Sequence, residues 1–163
     1  MDVIKRLCKY CDLAEVDYVC NLCKKVKNKK EYAIVRLLRR EINTKFIYDS
    51  SKMLQGCSKK RPDVYFDLPC HVVIVEIDEN QHNRYDSLCE CSRINEIVNS
   101  IGGRPVIVIR YNPDSKIKQT EILLEIIKSE LNMVYEKFMV KLIQIGFDNI
   151  PQQSEDITNL VCF

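Results

Sequence analysis

Two rhythms of apolar and polar positions run along the chain. The runs Asp63–Asp67 and Val72–Asp78 are filled with Val, Ile, Tyr and Phe and are separated by a turn around Pro69, which predicts two strands joined as a hairpin. Over Asp86–Ile101 the period changes. Leu88, Cys91, Ile94, Ile97, Val98 and Ile101 recur at helical spacing, and Gly102-Gly103 stops the helix they predict. Pro105–Tyr111 is apolar almost throughout, as a central strand covered on both faces would be. The strand–helix–strand order fits a right-handed parallel crossover. Ahead of the hairpin, Ile34, Leu37, Leu38 and Ile42 predict an amphipathic helix over Glu31–Ile42, followed by a strand at Lys45–Tyr48 and a polar loop, Asp49–Lys60. Behind it, Leu123, Ile127, Leu131, Val134, Phe138, Leu142 and Ile145 trace one stripe, predicting a long helical region from Ile117 to about Ile145, with Asn132 the point where it would break. Gly146 ends that region, and Phe147–Phe163 reads as a polar tail that frays. The pattern is α/β.

Acids interrupt the two hairpin strands at Asp63, Glu76 and Asp78. If Asp67 faces Val72 across a four-residue loop, counting back sets Asp63 opposite Glu76. Opposed residues share a face, as do residues two apart on one strand. All three carboxylates then lie together, and they repel one another unless a cation neutralises them. Oxygen donors of this kind suit Mg²⁺ or Mn²⁺.

Pro62-Asp63, a hairpin-length gap, then Glu76-Ile77-Asp78 resembles the motif of the PD-(D/E)xK nuclease superfamily, and most closely the subgroup around very-short-patch repair endonucleases. Arg61-Pro62-Asp63-Val64, Val75 to His82, Asp86 and Arg93, Gly102-Gly103 and Ile109-Arg110-Tyr111 follow that subgroup's order. Ile109 to Asp114 is also similar to an ending that recurs in related proteins of large DNA viruses. The likeness covers about Glu31 to Asn112. It implies a restriction-endonuclease-like core, a mixed central sheet flanked by helices, spanning residues 31–146, with residues 147–163 as a tail. It implies a metal-dependent DNA endonuclease in which Asp63 and Glu76 hold Mg²⁺ with the carbonyl of Ile77, Asp78 joins them or a second ion, and His82 serves as base. Arg93 would point to the carboxylates or to a phosphate, and Glu31 or Glu41 could add an acid from the first helix. The family's usual third-motif lysine is absent, since Asp78 stands there; Lys59 or Lys60 could supply a cation instead. The alternative is a nuclease fold without catalysis that holds nucleic acid or a protein partner. Mismatched, nicked, branched and ordinary duplex DNA all stay open as substrates.

Nine cysteines in 163 residues change the picture at the front of the chain. Cys8 and Cys11, then Cys20 and Cys23, form two knuckle-spaced pairs, and four thiolates complete a tetrahedral structural Zn²⁺ site. So small a segment cannot build a core alone, and the metal would supply its folding energy. Residues 1–30 are therefore read as a zinc-ribbon-like segment with a basic linker. Replacing Cys11 and Cys23 together by serine is expected to remove the zinc, about one per chain by elemental analysis; full retention would sink the assignment. The other five cysteines read better as buried, inert thiols than as a second site built with His71.

Net charge is only +2, but it is uneven. Residues 1–61 hold 16 Lys/Arg against 7 Asp/Glu, and the remainder holds 9 against 16. Cations at the front suit phosphates, with Lys24, Lys25, Lys27, Lys29 and Lys30 the candidates, while acids at the back suit a metal. No run of about 18 apolar residues implies a membrane span, and MDVIKRLCKY carries no apolar signal core, so a soluble intracellular protein acting on DNA is expected. Its assembly state is open, a homodimer among the options.

Overall fold

The computed structural model describes residues 29–48, 62–79, 87–116, 119–147 and 155–156. The chain divides into two compact units, Met1–Asn43 and Thr44–Phe163. In the first, helix α1 (Lys29–Glu41) buries Ile34, Val35 and Leu38 and leaves Arg39 and Arg40 exposed in its last turn, where cations favour the helix dipole.

The second unit is an α/β fold on a mixed six-stranded sheet. Its elements are β1 (Ile47–Tyr48), β2 (Val64–Asp67), β3 (Val72–Ile77), α2 (Ser87–Ser100), β4 (Val106–Tyr111), α3 (Thr120–Asn132), β5 (Val140–Ile145) and β6 (Glu155–Asp156). The strands lie in chain order across the sheet. The β2–β3 hairpin is antiparallel, β3, β4 and β5 run parallel, and β6 pairs antiparallel to β5. Every residue of β3 is buried, Glu76 among them, as in a central strand covered on both faces.

Alternation along the strands sorts the side chains onto two faces. One face carries Tyr65, Val72, Ile74, Val106 and Val108, covered by Ile97, Val98 and Ile101 from α2 and its end, with Val140 and Leu142 packed alongside. Gly102 and Gly103, both at positive φ, terminate that helix as the sequence predicts. The other face carries Val73, Ile107 and Lys141 in register. There the α3 residue Glu130 receives the Lys141 ammonium at 2.7 Å on one carboxylate oxygen and the Tyr135 hydroxyl on the other. The buried His71 donates from Nε2 to the Glu130 carbonyl at 2.8 Å, so Nε2 carries the proton. His71 Nδ1 has no partner among the described residues.

Three expectations need correction. The long helix from Ile117 to Ile145 does not form. α3 ends at Asn132, and Val140–Ile145 is a strand. Leu142 and Ile145 satisfy helical spacing, but β4 exposes a full edge of backbone donors and acceptors, and pairing with β5 satisfies it over six residues. The tail does not fray throughout, because Glu155 and Asp156 pair with Leu142 and Lys141. Cys70 is exposed rather than buried, since it lies on the polar hairpin turn. No helix among the described residues is long and apolar enough to cross a membrane.

Asn112 clips the ends of β4 and β5. It is buried, its amide nitrogen donates to the Gly146 carbonyl at 2.8 Å, and its Oδ1 accepts from the Asp114 N–H at 2.9 Å. Gly146 sits at φ +81°, and a Cβ there would come within 2.9 Å of the Asn112 carbonyl oxygen. Gly146→Ala combines left-handed strain with a clash against backbone. It is expected to cost about 2–4 kcal/mol, read as a lower denaturation midpoint.

Candidate active site

The hairpin has the register that brings the acids together. Asp67 pairs with Val72 and Val64 with Val75, so the next step sets Asp63 across from Glu76. The Asp63 carboxylate turns back onto β3, where Oδ2 accepts the Ile77 backbone N–H at 2.7 Å. It occupies the place of the strand acceptor that β2, which begins at Val64, does not supply. The parallel pairing then continues the row. Glu76 lies beside Arg110, and Arg110 beside Gln144. Asp63, Glu76, Arg110 and Gln144 therefore form a polar row just beyond the apolar layer under α2, at the carboxyl ends of the parallel strands, where open α/β sheets place their ligands.

Asp78 lies two residues past Glu76 and shares its face. Its backbone N–H donates to the Tyr111 carbonyl at 2.8 Å, which holds it beside β4. Its carboxylate accepts Arg110 Nε at 2.6 Å. The Arg110 guanidinium carbon lies 5.2 Å from the centre of the Phe147 ring, within cation–π range. Glu76 and Asp78 are buried, and a charge-assisted bond of this length is among the stronger side-chain contacts. Nearby Tyr111 belongs to the opposite face; burial pushes its phenol above the ordinary value of 10.0, so it stays a neutral hydroxyl.

The acids thus divide. Among the described residues no group of three or more His, Cys, Asp or Glu side chains is disposed to hold a metal ion. By the hairpin register Asp63 and Glu76 are opposed, whereas Asp78 is joined to Arg110. Magnesium is commonly held through one or two carboxylates while it keeps several waters. The Asp63–Glu76 pair, with the main chain of Ile77 adjacent, fits an ion of that kind.

The remaining candidates are not all visible. His82, Cys8, Cys11, Cys20, Cys23, Lys24, Lys25, Lys27, Lys59 and Lys60 lie outside the described residues. Arg93 falls on α2, but its side chain is likewise outside them. Lys29 opens α1 and Lys30 is exposed on it. Glu31 and Glu41 belong to the first unit, and Glu41 pairs with Arg40 at 2.8 Å. Arg110 and Gln144 are the residues of the row to which the motif reading gave no role, and Arg110 is the charged one. Its signal was present in the sequence, as the single charge in an otherwise apolar strand, PVIVIRY. No family model, no curated protein and no solved structure matches the chain.

Proposed function

We propose that the chain is a divalent-metal-dependent deoxyribonuclease whose centre is the Asp63–Glu76 pair. The observation that carries this reading is the hairpin register, which continued by one step sets Asp63 across from Glu76 at the carboxyl end of a parallel sheet. Asp63 and Glu76 would hold Mg²⁺ or Mn²⁺, which offsets phosphate charge and lowers the pKa of bound water. Asp63 is steadied for this by the Ile77 N–H, so its second oxygen has a fixed direction. His82 would take the proton from the attacking water. The four cysteines Cys8, Cys11, Cys20 and Cys23 would fold the front segment around Zn²⁺, and the neighbouring lysines would hold phosphates without regard to sequence.

One observation favours a second reading, a nuclease-like module that binds nucleic acid or a protein partner without cutting. The Asp78 carboxylate is ion-paired with Arg110. Incubation of the protein with plasmid, mismatched duplex and four-way junction, in Mg²⁺, Mn²⁺ or EDTA, separates the two. Metal-dependent cleavage of any of these supports the enzyme. Binding without cleavage in either metal supports the module.

The lysines carry their own test. Replacing Lys24, Lys25, Lys27, Lys29 and Lys30 by Gln is expected to weaken binding to all sequences alike. If all five touch phosphates, the log–log salt slope should fall by about 0.9 per contact, four to five in total. An unchanged slope, measured by anisotropy between 50 and 200 mM salt, would show that these side chains do not contact the backbone.

A further inference from the structure

We infer that Arg110 is a phosphate-holding residue of this site, with Asp78 and Phe147 acting to position it, an assignment that rests on the nucleic-acid substrate of the reading above. Arg110 stands next to Glu76 in the register of β3 and β4, on the face that carries Asp63. An anion brought to the two carboxylates therefore comes beside a guanidinium. The cation is constrained on two sides. Nε is bonded to Asp78 Oδ2 at 2.6 Å, and Phe147 lies against the guanidinium face. A guanidinium carries five N–H donors in a planar fork, so the bond through Nε fixes the plane in which the other donors lie.

Exposure separates the partners. The Asp78 side chain keeps 2% of its surface open and the Arg110 side chain 13%, so the cation is the member of the pair that meets an incoming ligand. This arrangement also accounts for an aspartate two residues after Glu76. A carboxylate buried behind an arginine orients it and prevents the long side chain from sampling other rotamers, which reduces the ordering cost when a phosphate arrives. A simple structural ion pair would need the same bond. It would not need to stand in line with Asp63 and Glu76.

The test reads binding as well as cleavage. Anisotropy of a labelled DNA duplex in EDTA is measured between 50 and 200 mM salt for the wild type, Arg110→Lys, Arg110→Met and the double variant Asp78→Asn/Arg110→Met. The double variant removes both charges, so it leaves no unpaired buried ion and keeps the comparison valid where Arg110→Met alone fails to fold. Loss of one charge-assisted phosphate contact should weaken binding by about tenfold or more. The salt slope of the double variant should fall by about 0.9. Arg110→Lys should keep the slope and lose part of the affinity, because an ammonium cannot present the fork. Wild-type affinity and slope in the folded double variant would overturn the assignment. Cleavage by the wild type that Asp63→Asn removes, together with unaltered binding by the double variant, would keep the nuclease and discard Arg110. Weakened binding by the double variant of a protein that cuts nothing would keep Arg110 and discard the nuclease.

Discussion

Asp63→Asn and Glu76→Gln are each expected to lower DNA cleavage by about 10³-fold or more, the effect of losing a ligand to a metal that contributes several kcal/mol to the transition state. Folding should not fall with activity. In Asp63→Asn the side-chain amide oxygen can still accept the Ile77 N–H that Oδ2 now holds at 2.7 Å, so the end of the hairpin stays closed. One of two facing like charges has gone, and stability should be kept or slightly raised, as should DNA affinity, because a negative charge near phosphate is lost. Asp63→Ala supplies the contrast. It also removes the charge, but it strands the Ile77 N–H and is expected to cost about 1–3 kcal/mol in stability. The Asn and Ala variants should therefore be equally inactive and unequally stable. Cleavage at the wild-type rate by folded Asp63→Asn would rule out this site. Activity that tracks the folded fraction across all three variants would make the carboxylates structural.

The legible part of this fold was the part set by local rules. The hairpin register followed from the four-residue loop around Pro69, which sets Asp67 against Val72 and fixes every pairing behind it. Helix α2 followed from its stripe and from Gly102-Gly103. The missed elements depend on partners far along the chain. Val140–Ile145 reads equally well in both periods, and only the unfilled edge of β4 decides between them. Glu130 occupies an apolar-stripe position seven residues after Leu123, an anomaly that signalled a buried acid; its partners Lys141, Tyr135 and His71 could not be named from spacing. Within the site, the Asp63–Glu76 pairing was legible because it lies inside one hairpin. The fate of Asp78 was not, because the arginine that takes it lies 32 residues away on a strand joined by a crossover.

That pairing carries the largest stability effect expected in the molecule. Breaking a buried ion pair by removing one partner costs about 3–5 kcal/mol, since the remaining charge is left unpaired in a poor solvent. The two halves should not be equivalent. Arg110→Met leaves a carboxylate that is 98% shielded, whereas Asp78→Asn leaves a guanidinium with 13% of its surface open and the Phe147 ring still against it. The first variant is therefore expected at the upper end of the range and the second at the lower end. At a urea m-value of about 2 kcal/mol/M, the midpoint of Arg110→Met should fall by roughly 2 M. Asp78→Asn/Arg110→Met should lose less than Arg110→Met alone, because neutralising both partners removes the cost of the stranded charge. Additive losses across the four proteins of this cycle would show that the two side chains are not energetically coupled, and Asp78 would then return as a candidate metal ligand beside Asp63 and Glu76. A non-additive cycle is the expected result, and it would tie Asp78 to the arginine.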